Sequence, residues 1–175
     1  MTHRGLTLPA WPASSNTTLY VILLIGVLAL TLRLIFVSEV IFQNTSQEIQ
    51  SFNADSPGYL HLAHNLVYEG SYALPDPWGS RNMALARTPG YPSFCALFEW
   101  IGVSPSGILF AQALMGTSIP IATVLLVNAM TRSKLASFVA GLTSALSPTG
   151  LGLVGILLAD LLFAAAFVVS FLLLY

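Results

Sequence analysis

Long apolar segments separated by one polar stretch are the feature that most constrains the fold of this chain. Residues 19–37, LYVILLIGVLALTLRLIFV, form the first segment, and as a helix they are long enough to cross about 30 Å of hydrocarbon. Further apolar runs follow the polar stretch and continue to the end of the sequence. This pattern predicts an all-α polytopic membrane protein, because helices satisfy every backbone polar group inside a bilayer.

The composition supports a membrane location and argues against several functions. Hydrophobic residues make up 55% of the chain, charged residues only 7%, and the mean hydropathy is +0.79. A formal net charge of −1 leaves no basic patch, so we expect no nucleic-acid partner. The single cysteine, Cys95, allows neither an intrachain disulfide nor a cysteine-based metal cluster. We expect no cofactor and no metal.

The apolar pattern divides the chain into successive segments. We predict a cytoplasmic tail at 1–18, a transmembrane helix at 19–41, an extracytoplasmic loop at 42–104, a transmembrane helix at 105–130, a cytoplasmic turn at 131–134, a transmembrane segment at 135–158 that is broken near Pro148, and the start of an incomplete transmembrane helix at 160–175. Within the loop we expect juxtamembrane amphipathic helices at about 56–69 and 92–101.

The distribution of basic residues predicts the orientation of these segments. Arg4, Arg132 and Lys134 lie on the side of the tail and the turn, whereas Arg81 and Arg87 lie in the long loop. The positive-inside rule therefore assigns the tail and the turn to the cytoplasm. The loop then faces the outside of a plasma or inner membrane.

The polar stretch 54–92 begins with the pattern of a short amphipathic helix. Asp55 or Ser56 is a suitable N-cap, Pro57 fits the first turn, and Gly70 is a suitable stop signal. An apolar face and a polar face follow from helical spacing: the first holds Tyr59, Leu62, Ala63, Leu66 and Val67, and the second holds His61, His64, Asn65 and Tyr68.

The second half of the stretch is rich in turn residues and ends in Arg87-Thr-Pro-Gly-Tyr-Pro92. Pro89 and Pro92 disfavour helical conformations in the residues before them. We therefore expect extended backbone at these positions, which would hold the side chains of Arg87 and Tyr91 in defined directions, as in a binding loop.

Arg33 lies inside the first apolar segment, where a charged side chain costs roughly 2.5–3.5 kcal/mol on insertion scales. Two interpretations remain open. The side chain either snorkels to the nearby membrane interface or points into the site formed by the polar loop, where it would help to hold an anionic group.

The order of these pieces resembles the GT-C glycosyltransferases, and within them the protein O-mannosyltransferases and the lipid A aminoarabinose transferases. The resemblance rests on an arginine-bearing first segment, an outer loop that opens with Asp55, the helix with Tyr59, Ala63, Leu66 and Gly70, the motif Arg87-Thr-Pro-Gly-Tyr-Pro92, and Gln112 in the next span. It runs from about residue 19 to the end of the chain. Family members are much longer, so the chain is expected to be a fragment, a truncated product or a half that needs a partner.

The resemblance implies inverting transfer of a sugar from a polyprenyl-phosphate carrier to an extracytoplasmic acceptor. It assigns the catalytic base to Asp55 and a second acidic position to Asp160, where the family usually has glutamate followed by proline. Arg87, together with Arg33, would stabilise the leaving phosphate. Tyr59, Tyr91 and Asp160 complete the predicted substrate-binding residues.

Plainer interpretations stand beside these assignments. Asp55 and Asp160 can be ordinary helix caps, and Arg87 can be a loop anchor. His61 and His64 are spaced for metal binding with Asp55, but too few ligands accompany them for a zinc site. The alternative function is a non-catalytic transporter or lipid-binding subunit, although its expected polar residues in the middle of several spans are sparse here.

Overall fold

The computed structural model describes residues 16–73 and 87–174, and within them every regular element is a helix. The all-α class predicted from the sequence is confirmed for this part of the chain. Most of the tail at 1–18 lies outside it, as do Arg4 and Arg81, which entered the orientation argument. The helices are α1 (Asn16–Gln43), α2 (Ser46–Ser51), α3 (Ser56–His64), α4 (Gly90–Trp100), α5 (Pro105–Thr131), α6 (Lys134–Ala145), α7 (Pro148–Gly152) and α8 (Ala159–Leu174), with a π-helical turn (Asn65–Glu69) after α3 and a 3-10 turn (Leu153–Gly155) after α7.

Two of these helices, α1 and α5, are long and apolar enough to cross a membrane. The segments Lys134–Ala145 and Pro148–Gly155 pass the same test as a pair, but the pair is bent by 48° at the break between them. They count as a third crossing only if this bent pair is one span. Helix α8 is apolar but shorter. Two or three membrane crossings are therefore compatible with the described residues.

Helices α1 and α5 run antiparallel, as contacts through two glycines demonstrate. Gly26 in the first half of α1 faces Ile121 in the second half of α5, whereas Arg33 farther along α1 faces Gly116, which is earlier in α5. A Cβ atom on Gly26 would lie 3.2 Å from the Ile121 side chain. Small residues at such positions let two helices approach closely in a membrane.

Helix α6 starts at the same end of the bundle as α1. The Nζ atom of Lys134 donates hydrogen bonds to Thr18 Oγ1 at the start of α1 and to Asn128 Oδ1 near the end of α5. Farther along, Gly141 packs against Ile25. The start of α1 and the turn between α5 and α6 therefore lie at the same end of the bundle.

The bent pair reaches the opposite end of α1. Gly155 packs so closely on α1 that an added Cβ would lie 2.8 Å from Phe36 Cε1 and 3.2 Å from Val40 Cγ2. Because Lys134 lies near the start of α1 and Gly155 near its end, the pair extends along most of the bundle. The break at Pro148 falls within the segment for which the sequence predicts it.

Helices α2, α3 and α4 pack at the end of the bundle where α1 finishes. A single cluster of buried side chains joins them to the long helices; it includes Val37, Ile49, Ala63, Tyr91, Cys95, Leu109 and Leu157. Helix α2 was not predicted. Its signal is the capping box in Thr45-Ser-Gln-Glu48, where the Thr45 hydroxyl accepts from the Glu48 amide and the Glu48 carboxylate accepts from the Thr45 amide.

The expectation of extended backbone at Tyr91 is wrong. Helix α4 begins at Gly90 and includes Tyr91 and Pro92, while Pro89 occupies the N-cap position with helical dihedral angles. Proline is tolerated in the first turn because the amide groups there have no partner within the helix. The rule for residues before proline was therefore overridden by the start of a helix.

Asn65 also departs from the prediction that it lies on an exposed polar face. It is buried, and its Nδ2 atom donates to the carbonyl of Ala73. Asn65 opens the π-helical turn, which holds more residues than an α-turn and so rotates the following side chains. Leu66, predicted on the apolar face, is correspondingly 36% exposed.

Candidate functional site

The candidate site is built around an ion pair between Asp55 and Arg87. Arg87 Nη2 donates to Asp55 Oδ1 at 2.8 Å, across a separation of 32 residues. The Asp55 side chain is 52% exposed and that of Arg87 is 21% exposed, so the pair lies open to a ligand while the guanidinium is partly enclosed. A carboxylate and a cation thus lie side by side at the start of α3.

Two residues of α3 hold the guanidinium of Arg87. Its Cζ atom lies 4.7 Å from the centre of the Tyr59 ring, in a cation–π contact. Gly58 lies directly under it, because a Cβ on Gly58 would be 3.0 Å from Arg87 Nε and 3.1 Å from Cζ. A side chain at position 58 would require the guanidinium to shift by a few tenths of an ångström, so glycine lets it approach the helix this closely.

The backbone at Arg87 is anchored by Tyr72. The Tyr72 hydroxyl donates to the Arg87 carbonyl at 3.0 Å. Burial raises the pKa of Tyr72, so this hydroxyl stays protonated at neutral pH and remains a donor. Tyr72 therefore ties the two described ends of the loop together beside the ion pair.

Asp55 occupies the N-cap position of α3, but its side chain makes no capping hydrogen bond. Its backbone is helical rather than extended, and the carboxylate is directed to Arg87 instead. The plain interpretation of Asp55 as a helix cap does not describe this side chain. Pro57 in the first turn lowers the need for such a cap, because it removes one of the unpaired amide donors.

A chain of side-chain contacts connects the ion pair to the middle helices. The Tyr59 ring lies edge-on to the Tyr91 ring, with centroids 5.0 Å apart. The buried Tyr91 hydroxyl donates to Gln112 Oε1, and Gln112 Nε2 donates to the Ile156 carbonyl at 2.8 Å. Burial raises the pKa of Tyr91, which keeps its hydroxyl a donor. Gln112 is therefore the hydrogen-bond partner of both the Tyr91 hydroxyl and the carbonyl of Ile156, which follows the 3-10 turn.

A second contact brings the start of α8 beside the start of α3. The Ser56 hydroxyl is fully buried and donates to the Leu157 carbonyl at 2.9 Å. Asp160 follows three residues later, exposed in the first turn of α8. The two acidic positions that were predicted from distant parts of the sequence therefore belong to neighbouring helix starts, although only Asp55 has an ion-pair partner among the described residues.

Arg33 lies deep in the bundle rather than at its surface. Its side chain is 1% exposed, and Nη1 donates to the carbonyl of Ala29 on the same helix. Gly116 in the middle of α5 and Gly150 in α7 also lie against its guanidinium. In the described part of the chain no carboxylate pairs with Arg33, and its buried Nε has no hydrogen-bond partner. The snorkelling interpretation does not fit this position.

The two histidines of α3 are exposed, and they do not form a metal site with Asp55. His64 Nδ1 lies 2.7 Å from Glu99 Oε1 of α4. Across residues 16–73 and 87–174, no group of three His, Cys, Asp or Glu side chains is arranged to hold a metal ion.

Several residues of the site were missed at the level of sequence. Gly58 and Tyr72 were not assigned roles, because their importance depends on where Arg87 returns after a long loop. Glu99 was missed because its partner lies 35 residues away. Tyr91 and Gln112 are 21 residues apart and lie on two different helices, so no periodic pattern in the sequence predicts their contact.

No protein-family model matches the chain, and neither a curated protein nor a solved structure matches it significantly. The site's own geometry is consequently the basis for a functional assignment.

Proposed function

We propose that this chain forms the donor-binding part of a membrane glycosyltransferase of the GT-C type. Arg87 binds the phosphate of a polyprenyl-linked sugar, and Asp55 is the catalytic base that accepts the proton of the acceptor. The observation that carries the proposal is the open Asp55–Arg87 pair at the end of an apolar helical bundle. The resemblance in the order of motifs points to the same reaction.

The two side chains suit the two charge changes of an inverting transfer. The acceptor oxygen attacks the anomeric carbon of the sugar, the bond from that carbon to the phosphate oxygen breaks, and the acceptor proton passes to the Asp55 carboxylate. Polyprenyl phosphate leaves with the bonding electrons. Arg87 stabilises the charge that develops on its oxygens, because a guanidinium has five N–H donors and can contact a carboxylate and a phosphate together.

The surroundings of the pair support this division of roles. Gly58, Tyr59 and Tyr72 restrict the position of Arg87, which lowers the cost of orienting a donor phosphate. The greater exposure of Asp55 leaves its carboxylate accessible to an acceptor arriving from the water. The neighbouring apolar helices offer a surface for the polyprenyl chain.

Phosphate-dependent lipid binding tests the proposal. The purified chain in detergent micelles is mixed with a polyprenyl monophosphate or with the polyprenol of equal length. We expect the phosphate form to bind at least about tenfold more tightly, and we expect Arg87→Gln to remove this preference, because charge-assisted hydrogen bonds contribute on this scale. Arg132→Gln, which changes an exposed arginine in the turn between α5 and α6, serves as the matched control. Equal binding of the two lipids to the unmodified chain would contradict the proposal.

Gly58→Ala should weaken phosphate binding without lowering the free energy of unfolding. Alanine favours a helix by up to about 1 kcal/mol over glycine, so the free energy of unfolding should stay equal or rise. The added Cβ would meet Arg87 at 3.0–3.1 Å and shift the guanidinium by a few tenths of an ångström relative to the Tyr59 ring. We therefore expect weaker binding of polyprenyl monophosphate with unchanged binding of polyprenol, measured beside a thermal unfolding curve. Unchanged phosphate binding would show that Arg87 does not need its close approach to position 58.

A second candidate function is a lipid-carrier-binding subunit without transfer chemistry. It is favoured by Arg33, a buried cation beside the break between α6 and α7, since charged residues next to broken helices mark substrate paths in transporters. This candidate predicts phosphate-dependent lipid binding without sugar transfer, so Asp55→Asn has no transfer activity to lower. The first candidate predicts phosphate-dependent lipid binding together with sugar transfer that Asp55→Asn lowers.

A further inference from the structure

A cavity of about 430 Å³ lies between α2, α3, α4 and the start of α5. This volume is within the range of small-molecule sites. Its lining combines apolar side chains with a carboxylate, two imidazoles and an amide: Gln50, Pro57, Leu60, His61, His64, Cys95, Glu99, Val103, Pro105 and Ile108.

This cavity is separate from the Asp55–Arg87 site, although both use α3. Successive residues of a helix are rotated by about 100°, so Leu60 and His64 lie on one side of α3 while Asp55, about 140° and 180° from them around the axis, lies on the other. The inward residue Ala63 is fully buried between these two sides. A ligand in the cavity therefore does not reach the ion pair.

With His61 and His64 neutral, the charge of the cavity lining is negative. Glu99 is the carboxylate, and neither lysine nor arginine is among the lining residues. Its partner is His64 Nδ1 at 2.7 Å; a neutral imidazole donates a hydrogen bond there but leaves the carboxylate charge in place. Cys95 adds no charge, because burial raises the pKa of its thiol to about 12. The Glu99 side chain is only 28% exposed, so its charge is partly shielded from water.

The apolar part of the lining points to an amphiphile. Pro105 and Ile108 belong to the start of α5, one of the two helices long enough to cross a membrane, and Val103 lies just before this helix. The polar residues Gln50, His61 and His64 come from α2 and α3, beyond the start of α5. A molecule with a cationic head and an alkyl tail would match both parts.

We propose that this cavity binds the protonated amine head of an amphiphile, with the ammonium group on Glu99 and the first part of its alkyl chain along Leu60, Val103 and Ile108. This site is independent of the glycosyltransferase proposal. An ammonium group supplies three hydrogen-bond donors, and the Glu99 carboxylate and the Gln50 side-chain carbonyl are acceptors. An alkyl chain removes the apolar walls from water.

Equilibrium dialysis of labelled probes against the full chain in micelles tests the site, with protein-free micelles as the partition blank. Decylammonium, decanol, decanoate and methylammonium separate the contributions of charge and tail. We expect decylammonium to bind about tenfold more tightly than decanol, with no measurable binding of decanoate or methylammonium. The preference for decylammonium over decanol should shrink as salt is added.

Three variants separate the proposed contacts. Glu99→Gln should reduce decylammonium binding to the level of decanol, whereas Glu69→Gln, an exposed carboxylate of the same region outside the cavity, should leave it unchanged. Leu60→Trp should fill the cavity and remove the binding of both probes, with folding followed by thermal unfolding. Equal affinities for decylammonium and decanol, a Glu99→Gln variant that binds normally, or methylammonium binding as tight as decylammonium would each overturn the proposal.

Discussion

Asp55→Asn is expected to lower sugar transfer at least about a hundredfold while strengthening the binding of polyprenyl monophosphate. Loss of a general base typically costs a factor of about 100 to 10,000. Binding should improve because the Asp55 carboxylate repels a phosphate and occupies Arg87 Nη2 at 2.8 Å. The measurement is transfer from a polyprenyl-phosphate-linked sugar by the protein in its native membrane, with kcat and KM determined separately, beside the lipid-binding assay.

The opposite directions of the two effects make this prediction specific. A purely positioning role for Asp55 would reduce phosphate binding together with transfer, because Arg87 would lose its orientation. Glu69→Gln removes another exposed carboxylate of the same region and should affect neither quantity. Asp55→Asn with normal transfer would exclude Asp55 as the base.

Gln112→Leu is expected to destabilise the folded protein by about 2 kcal/mol. The amide is 1% exposed, accepts from the Tyr91 hydroxyl and donates to the Ile156 carbonyl, with the Leu153 and Val154 carbonyls at 3.4 and 3.5 Å. Leucine has a similar volume but leaves these buried groups without partners, at roughly 1–3 kcal/mol each in water-soluble proteins and less inside membranes. Denaturation by sodium dodecyl sulfate gives the free energy of unfolding.

A mutant cycle with Tyr91→Phe identifies the source of this loss. Tyr91→Phe removes the hydroxyl that Gln112 accepts from, so the double variant should be less destabilised than the sum of the two single variants. Gln47→Leu, at an exposed position of α2, is the control for the loss of an amide. Backbone amides following Leu153 should exchange faster in Gln112→Leu, and an additive cycle with unchanged exchange would contradict the role assigned to Gln112.

Local patterns gave correct predictions where one short segment contains the whole signal. The apolar run at 105–130 predicted a long helix, and α5 spans Pro105–Thr131. Ser147-Pro148 predicted a break, and α7 begins at Pro148. The same kind of reasoning failed at Tyr91, where two local rules compete: proline disfavours a helical residue before it, but it also fits the first turn of a helix.

Recognising the candidate site required both the residue types in the sequence and the distances that the fold sets between them. The residue types at Asp55 and Arg87 indicated acid–base and phosphate chemistry, but the distance between them depended on how the chain returns after the loop. Arg33 is the converse case, since its sequence position allowed two interpretations and its surroundings depend on Gly116 and Gly150 from other helices. Long-range partners of this kind leave no periodic trace in a single sequence.

The sequence by itself determined that the chain is helical and suited to a membrane, because apolar length and backbone hydrogen bonding leave helices as the available structure. It also indicated Asp55, Arg87 and Arg33 as candidates for a functional site. Only the tertiary structure decided which of them meet: Arg87 with Asp55 over Gly58, Tyr91 with Gln112, and His64 with Glu99. The physical reason is that each pairing requires close approach of segments that are distant in the sequence, and that approach is set by packing of the whole bundle rather than by local propensity.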